Sequence, residues 1–252
     1  MASVPIATSV SMVSATSSSK KGETLADTIE TLVAMGTDAI VLRHSQAGLH
    51  GQLAAKFKNR VSFLNAGDGC HQHPSQALLD AYSMWRVFGT QSLGSFKNKK
   101  IVIVGDIRHS RVARSNIELL NTLGADVHVV GPKTLLPNGI ESLGCEAHTD
   151  LSQALCDADI VMALRIQLER QADSVRYFPS LKEYTALYGL THERLRLAKP
   201  TVKIMHPMPI NRGVEMSNAL VDDAEKSLLF SQVRLGVLIR MALLSLLLEN
   251  QS

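Results

Sequence analysis

Apolar residues recur at two spacings along this chain, and the spacing predicts which segments are strands and which are helices. Short continuous runs of aliphatic and β-branched residues predict buried strands, and residues 101–105 are a clear example. Apolar residues three or four positions apart predict helices. Predicted strands cover residues 38–42, 61–65, 101–105, 127–130, 160–164 and 202–205, and predicted helices cover 26–36, 46–58, 76–88, 112–123 and 151–158.

The order of these elements predicts the fold class. Strands that alternate with helices form parallel sheets flanked by helices, so we predict an α/β fold. The polar, glycine-containing segment 89–100 interrupts the pattern and predicts two domains, residues 1–93 and 94–228, followed by a C-terminal helix at 229–252. The apolar part of this C-terminal helix, 237–248, is interrupted by Arg240 and is too short to cross a bilayer. We therefore predict a buried helix and no membrane contact.

Composition and charge indicate which class of protein and which kinds of ligand to expect. The 252 residues are 45% hydrophobic and 19% charged, as expected for a globular protein, and the formal net charge is +3. With 4% aromatic residues and no dense basic stripe, nucleic acid is not expected as a partner, and small anionic ligands fit better. Three scattered cysteines and the lack of a secretory signal in residues 1–19 predict a cytoplasmic protein.

Several polar side chains follow the predicted strands, where α/β sheets bind their ligands. Arg43, Asp106, Arg165 and His206 all lie at such positions, and arginine can donate two parallel hydrogen bonds to an oxyanion. The loop at 105–111 lacks the G-x-G-x-x-G spacing, which argues against a dinucleotide. Residues 70–73 hold one cysteine and two histidines, but no second cluster at zinc-finger spacing accompanies them, so we expect no metal.

Four segments in register resemble the aspartate carbamoyltransferase family. They are His73-Pro74-Ser75-Gln76, Arg165-Ile166-Gln167, the Lys20-Lys21 loop and the run from His206 to Glu215. The resemblance extends from about Ser17 to the C-terminal helix, which is similar to the family's helix that returns to the first domain. The family's Ser-x-Arg-Thr-Arg phosphate motif is not among the 252 residues, and we expect it upstream of residue 1, with weak activity for the chain by itself.

The resemblance implies a role for each site residue. His73 and Arg43 would be catalytic, with His73 donating to the carbonyl oxygen of carbamoyl phosphate, and no metal or organic cofactor is implied. The Ser17–Lys21 loop would enter the site of a neighbouring subunit, which implies a homotrimer with shared active sites and leaves room for a regulatory subunit. The implied carbamoyl-phosphate residues are Ser17, Arg43, His73, Gln76, Pro207, Met208 and Pro209, and the implied aspartate residues are Lys21, Arg111, Arg165 and Gln167.

The implied reaction is carbamoyl transfer from carbamoyl phosphate to L-aspartate in pyrimidine biosynthesis. Ornithine enzymes of the superfamily carry His-Cys-Leu-Pro where this chain has His206-Pro207-Met208-Pro209, which favours aspartate. Two alternatives stay open. One is a catalytically impaired carbamoyltransferase-like binding or scaffold subunit, and the other is a carbamoyltransferase for another amino acid.

Overall fold

The computed structural model describes residues 9–14, 24–89, 95–166 and 180–249, and they form two compact units. One unit contains the chain through Ser75 together with the chain from Val237, and the other runs from Gln76 to Gly236. The strands are β1 (Val10–Ser14), β2 (Ala39–His44), β3 (Ser62–Asp68), β4 (Lys100–Val104), β5 (Asp126–Val130), β6 (Glu146–His148), β7 (Ile160–Ala163) and β8 (Lys203–Met205). The helices are α1 (Leu25–Ala34), α2 (Leu49–Lys56), α3 (Pro74–Phe88), α4 (Arg111–Thr122), α5 (Leu151–Leu155), α6 (Leu181–Tyr188), α7 (Asn218–Val221) and α8 (Leu229–Glu249).

The first unit is built on a parallel sheet with the strand order β1-β2-β3. Helix α1 begins at a capping box, in which the Thr24 hydroxyl accepts from the Asp27 amide and the Asp27 carboxylate accepts from the Thr24 amide. This exchange satisfies two amides that a helix start leaves without an intrahelical partner. The sheet and its helices bury an apolar core composed of Val13, Ile29, Ile40, Leu42, Leu53, Phe57 and Val61.

The second unit is built on a five-stranded parallel sheet with the order β6-β5-β4-β7-β8. Its central strands are buried on both faces, because successive side chains of a strand point to opposite sides of the sheet. Val102 and Val161 belong to the core on one face, whereas Ile103 and Met162 belong to the core on the other. The predicted fold class is therefore confirmed, with a parallel sheet flanked by helices in each unit and the end of α8 grouped with the first unit.

Helix α8 corrects one prediction. Only four of its described residues are buried, namely Leu229, Gln232, Leu235 and Gly236, and large apolar residues such as Leu238 are exposed. The prediction of a buried helix was therefore wrong for the C-terminal half. At 21 residues, α8 is also long and apolar enough, by length and composition alone, to cross a membrane.

The predicted strands are all present, but two of them run further than predicted. β2 continues through Arg43 to His44, and β3 continues to Asp68, which pairs with His44. The Asp68 carboxylate accepts hydrogen bonds from the Gly48 and Gln72 amides, which stabilises the extended end of β3. The sequence pattern missed β1, β6, α6 and α7, because these elements are short or mainly polar.

Candidate active site

Three neighbouring strands of the second sheet end at the residues that the sequence singled out. β4 leads into the loop before Arg111, β7 is followed by Leu164 and Arg165, and β8 is followed by His206. β4 pairs with β7, and β7 pairs with β8, all in parallel. Because the carboxyl ends of parallel strands lie at one edge of a sheet, these residues share one edge of the second unit.

The loop after β4 approaches the β7 strand end closely. Gly105 has φ of +130°, and a Cβ atom at this position would lie 3.2 Å from the Leu164 carbonyl oxygen. The positive φ favours glycine here, and a Cβ atom would in addition make a tight contact. Beyond it, the Ser110 hydroxyl caps α4 by accepting from the Ala113 amide, so that Arg111, which is buried, is the first residue of the helix.

The segment after β8 is held by its own histidine. The buried His206 ring accepts a hydrogen bond from the Met208 amide at 2.9 Å through Nδ1, which places the ring proton on Nε2. Burial, with a smaller contribution from the charge of Arg165, lowers the pKa of His206 to about 3, so the ring is neutral at pH 7. Met208 has φ of +55°, and its bond to Pro209 is cis. The hydrogen bond from the Met208 amide to His206 holds the carbonyl groups of this turn in defined positions.

Asp80 connects two of the predicted carbamoyl-phosphate segments within the second unit. Its fully buried carboxylate accepts from the side-chain amide nitrogens of Gln76 at 2.9 Å, Gln232 at 2.7 Å and Asn116 at 2.9 Å. The Gln232 side-chain oxygen in turn accepts from the His206 backbone amide at 3.1 Å. Asp80 and Gln232 therefore tie Gln76 to the loop after β8, and they leave the Gln76 side-chain oxygen as the acceptor that a ligand amino group would need.

Glu215 plays a similar part near Arg165. Its buried carboxylate accepts from the Ile166 amide at 3.0 Å and from the Asn211 amide at 2.8 Å. Burial raises the pKa of Glu215, although these hydrogen bonds work in the opposite direction. The carboxylate joins the chain that follows β7 to the chain that follows the His206 turn, so the position of Arg165 depends on it.

In the first unit, Asp68 organises the loop before His73. Burial alone would raise the pKa of Asp68, but hydrogen bonds from the Gly48 and Gln72 amides and from His71 outweigh it and lower that pKa. At Gly69, a Cβ atom would lie 2.6 Å from the Ser45 carbonyl oxygen, so this tight turn also requires glycine. The result is a half-buried His73 directly before α3, with its Nδ1 atom 3.4 Å from the Ser75 hydroxyl.

The structure locates most of the predicted site residues. Arg43 is exposed at the carboxyl end of β2, and Gln76 is buried in the first turn of α3. Ser17, Lys21 and Gln167 lie outside the described residues. The sequence reasoning gave no role to Asp80, Gln232, Glu215 or Asp68. For Asp80 a signal existed, because Gln76 and Asp80 are four residues apart on a predicted helix and therefore face each other.

This arrangement suits an anionic substrate. Arg111 and Arg165 supply guanidinium groups at one edge of the second sheet, and Arg111 stands at a helix start, where the backbone also favours negative charge. A buried, neutral His206 and two buried carboxylates hold the surrounding loops in place through hydrogen bonds. A preorganised, charged edge of this kind is suited to binding and orienting small anions.

Comparison with known protein families assigns a model to each part of the chain. The model described as the aspartate/ornithine carbamoyltransferase carbamoyl-P binding domain matches residues 3–86. The model described as the Asp/Orn binding domain of the same enzymes matches residues 97–247.

The chain is also similar to curated proteins along nearly its whole length. It is 52% identical over 237 residues to the aspartate carbamoyltransferase catalytic subunit of Thermosynechococcus vestitus, a match that covers 92% of this chain and 71% of the relative. It is 50% identical over 241 residues to the catalytic subunit of Moorella thermoacetica, covering 96% and 75%.

The chain is also similar to solved structures. The aspartate transcarbamoylase of Trypanosoma cruzi in complex with carbamoyl phosphate and aspartate matches with a TM-score of 0.78 and 27% identity, covering 94% of this chain and 83% of that one. The same enzyme in complex with N-(phosphonacetyl)-L-aspartic acid matches with a TM-score of 0.77 and 27% identity, covering 94% and 82%.

Proposed function

The chain belongs to the aspartate/ornithine carbamoyltransferase family, and on that basis we propose that it transfers the carbamoyl group of carbamoyl phosphate to L-aspartate. The products are N-carbamoyl-L-aspartate and phosphate. The observation that carries this function is the 52% identity, over 92% of the chain, to a relative named for aspartate as the acceptor. The two arginines at the edge of the second sheet suit a dicarboxylic acceptor better than the cationic side chain of ornithine.

We assign carbamoyl phosphate to the residues that the resemblance implies for it. Arg43 binds phosphate and carbonyl oxygens, and His73 donates to the carbonyl oxygen. The Gln76 side-chain oxygen and the Pro207 and Met208 carbonyls accept from the carbamoyl amino group, with Pro209 completing the turn. The hydrogen bonds of Asp80 to Gln76 and Gln232 support this assignment, because they direct the amide nitrogen of Gln76 away from the ligand. Ser17 is assigned to the phosphate on the resemblance alone.

Aspartate is assigned to four residues. Arg111 and Arg165 bind its carboxylates, and Lys21 and Gln167 complete the set on the basis of the resemblance. The ties from Glu215 to Ile166 and Asn211 support the role of Arg165, because they limit the movement of the chain that carries it. Two charge-assisted hydrogen bonds from one guanidinium fix the orientation of a carboxylate as well as its position.

The chemical step requires no covalent intermediate with the protein. The neutral α-amine of aspartate attacks the carbonyl carbon, and the carbonyl oxygen becomes an oxyanion next to His73 and Arg43. The C–O bond to phosphate then breaks, and the departing phosphate accepts the proton lost by the amine. The protein contributes orientation of the two anions and stabilisation of the oxyanion, which are the largest sources of acceleration in such reactions.

This function is tested by binding of N-(phosphonacetyl)-L-aspartate, which combines features of both substrates. The purified protein should bind it in isothermal titration calorimetry, and Arg165→Ala should weaken binding by roughly 10²–10⁴-fold, from the loss of two charge-assisted hydrogen bonds of about 1.5–3 kcal/mol each. Arg212→Ala is the matched control, because Arg212 is an exposed arginine paired with Asp222. Equal weakening in both variants would contradict the assignment of Arg165.

The proposal also covers the oligomeric state, the pathway and the cellular location. We infer a homotrimer whose sites each receive Ser17 and Lys21 from a neighbouring subunit, acting in pyrimidine biosynthesis in the cytoplasm. Mixing the inactive variants Lys21→Ala and His73→Ala should restore activity, because some hybrid sites would then carry neither substitution. If hybrid trimers form but activity does not return, the loop does not cross between subunits.

A further inference from the structure

Two histidines and a glutamate converge on the outer strands of the second sheet, on β5 and β6, which carry none of the residues assigned to substrates. The register pairs His128 with Glu146 and Val130 with His148. Residues two apart on a strand share a face, so all three polar side chains project from the same side of the sheet. The pattern is set by the strand pairing and not by a flexible loop.

The ligand atoms of this cluster lie close together. His128 Nδ1 is 2.8 Å from His148 Nε2, and the Glu146 carboxylate oxygens lie 3.4 Å from His148 Nε2 and 3.8 Å from His128 Nδ1. Ligands of a tetrahedral zinc ion at about 2.0–2.2 Å are separated from one another by roughly 3.3–3.5 Å. The two carboxylate distances are near this spacing already, and the histidine pair would have to open by roughly half an ångström.

A fourth side chain supplies the outer support that metal-binding histidines usually have. The buried Nε2 atom of His128 lies 3.1 Å from an Asp126 carboxylate oxygen, but it has no aligned hydrogen-bond partner among the described residues. A small rotation of the ring would direct its N–H at Asp126 and leave Nδ1 for a metal. A carboxylate behind a ligating histidine fixes the tautomer and makes the ring a better ligand.

Burial differs across the cluster in a way that suits a bound ion. The side chains of His128 and His148 are 7% and 12% exposed, whereas that of Glu146 is 65% exposed. The histidines therefore offer nearly dry ligands, and the glutamate side gives an ion a path from solvent and room for water as a further ligand. Two imidazoles and a carboxylate are a donor set for zinc and neighbouring first-row divalent ions, in preference to magnesium or calcium.

We propose that His128, Glu146 and His148 bind one divalent transition-metal ion of the zinc class, with Asp126 supporting His128. Bound there, the ion would join the three-residue edge strand β6 to β5 and so stabilise the outer edge of the second unit. This site is separate from the Cys70–His73 segment of the first unit, where His71 is already engaged with Asp68.

The proposal is tested by titrating metal-stripped protein with zinc chloride in a calorimeter. We expect one ion per chain. Glu146→Gln and His148→Ala should each weaken binding by at least tenfold, and Asp126→Asn by on the order of 10–100-fold. Glu146 and Asp126 are exposed, so these two substitutions leave the fold intact even if His148→Ala does not. His192→Ala, which removes an exposed histidine of the same unit, should bind like the wild type.

Two further measurements separate this site from its alternatives. Cys70→Ser should retain the ion, and the cobalt-substituted protein should show no thiolate-to-metal charge-transfer band. No binding at micromolar zinc would mean that the two histidines only share a hydrogen bond, and it would overturn the proposal. Binding that survives both Glu146→Gln and His148→Ala, or that is lost in Cys70→Ser, would overturn it as well.

Discussion

Replacing Asp80 with alanine should weaken both the second unit and its use of carbamoyl phosphate. The fully buried carboxylate accepts from Gln76, Gln232 and Asn116, so the substitution leaves three amide groups without this acceptor. Each buried group left unsatisfied costs about 1–3 kcal/mol. Three such groups would cost about 3–9 kcal/mol, but the desolvation cost of the buried carboxylate is removed at the same time, so we expect a net loss of about 3–5 kcal/mol in the free energy of unfolding.

The kinetic effect follows from Gln76. Without Asp80 its amide can rotate, and one neutral hydrogen bond to the carbamoyl amino group, worth about 0.5–1.5 kcal/mol, is lost or weakened. We therefore expect kcat/KM for carbamoyl phosphate to fall by roughly 2–10-fold, and further if Gln232 also releases the His206 amide. Asp80→Asn should restore part of this loss, because its side-chain oxygen can still accept from Gln76 and Gln232.

Asp159→Ala is the matched control for Asp80→Ala. Asp159 is a buried carboxylate of the same unit that pairs with Lys199 at 2.6 Å. It directly precedes β7 and so lies at the amino ends of the strands, whereas the candidate site lies at their carboxyl ends. Urea unfolding and steady-state kinetics should show that both variants lose stability but that Asp80→Ala alone changes the KM for carbamoyl phosphate. If both variants change that KM equally, or if neither does, the proposed coupling through Asp80 is wrong.

Three further predictions concern single residues. Arg165→Ala should raise the KM for aspartate by orders of magnitude in steady-state kinetics and change carbamoyl phosphate binding little, whereas equal loss of both would indicate general unfolding. His73→Ala should lower kcat by roughly 10²–10³-fold with a smaller effect on ligand binding, as expected for a donor to an oxyanion, and a loss confined to KM would contradict this role. The third prediction is that the free energy of unfolding falls by about 1.4 kcal/mol per pH unit as the pH drops from 6.5 towards 3. The reason is that His206 in the unfolded chain takes up a proton in this range, whereas the folded ring, with its pKa of about 3, does not. His206→Gln should remove this part of the slope in urea unfolding, and an unchanged slope would show that another group is responsible.

The sequence predicted the sheets well because their strands are continuous apolar runs. In β4, Val102 is buried on one face of the sheet and Ile103 on the other, so the strand is apolar at successive positions and stands out in the sequence. It missed β6, whose residues Glu146 and His148 are polar and form the sheet edge. It also predicted a buried C-terminal helix, because an apolar composition indicates low affinity for water but does not indicate which surface covers the helix.

The site was predicted only in part, for a related reason. Arg165 and His206 were found because they follow recognisable strands, and a residue after a parallel strand lies at a known edge of the sheet. The residues that hold these two side chains in place through hydrogen bonds were not predicted. Asp80 and Gln232 are 152 positions apart, and no local pattern in the sequence links them. Glu215 likewise reaches Ile166 across 49 positions. Long-range hydrogen bonds of this kind depend on the folded topology.

The central claim is tested most directly by the choice of acceptor. The purified protein is supplied with carbamoyl phosphate labelled in the carbamoyl carbon, together with equal concentrations of L-aspartate and L-ornithine, and the labelled products are separated. Our account predicts label in N-carbamoyl-L-aspartate and none above background in citrulline, with the aspartate product greatly reduced in Arg165→Ala. Label in citrulline, or an aspartate product that is unaffected by Arg165→Ala, would contradict it.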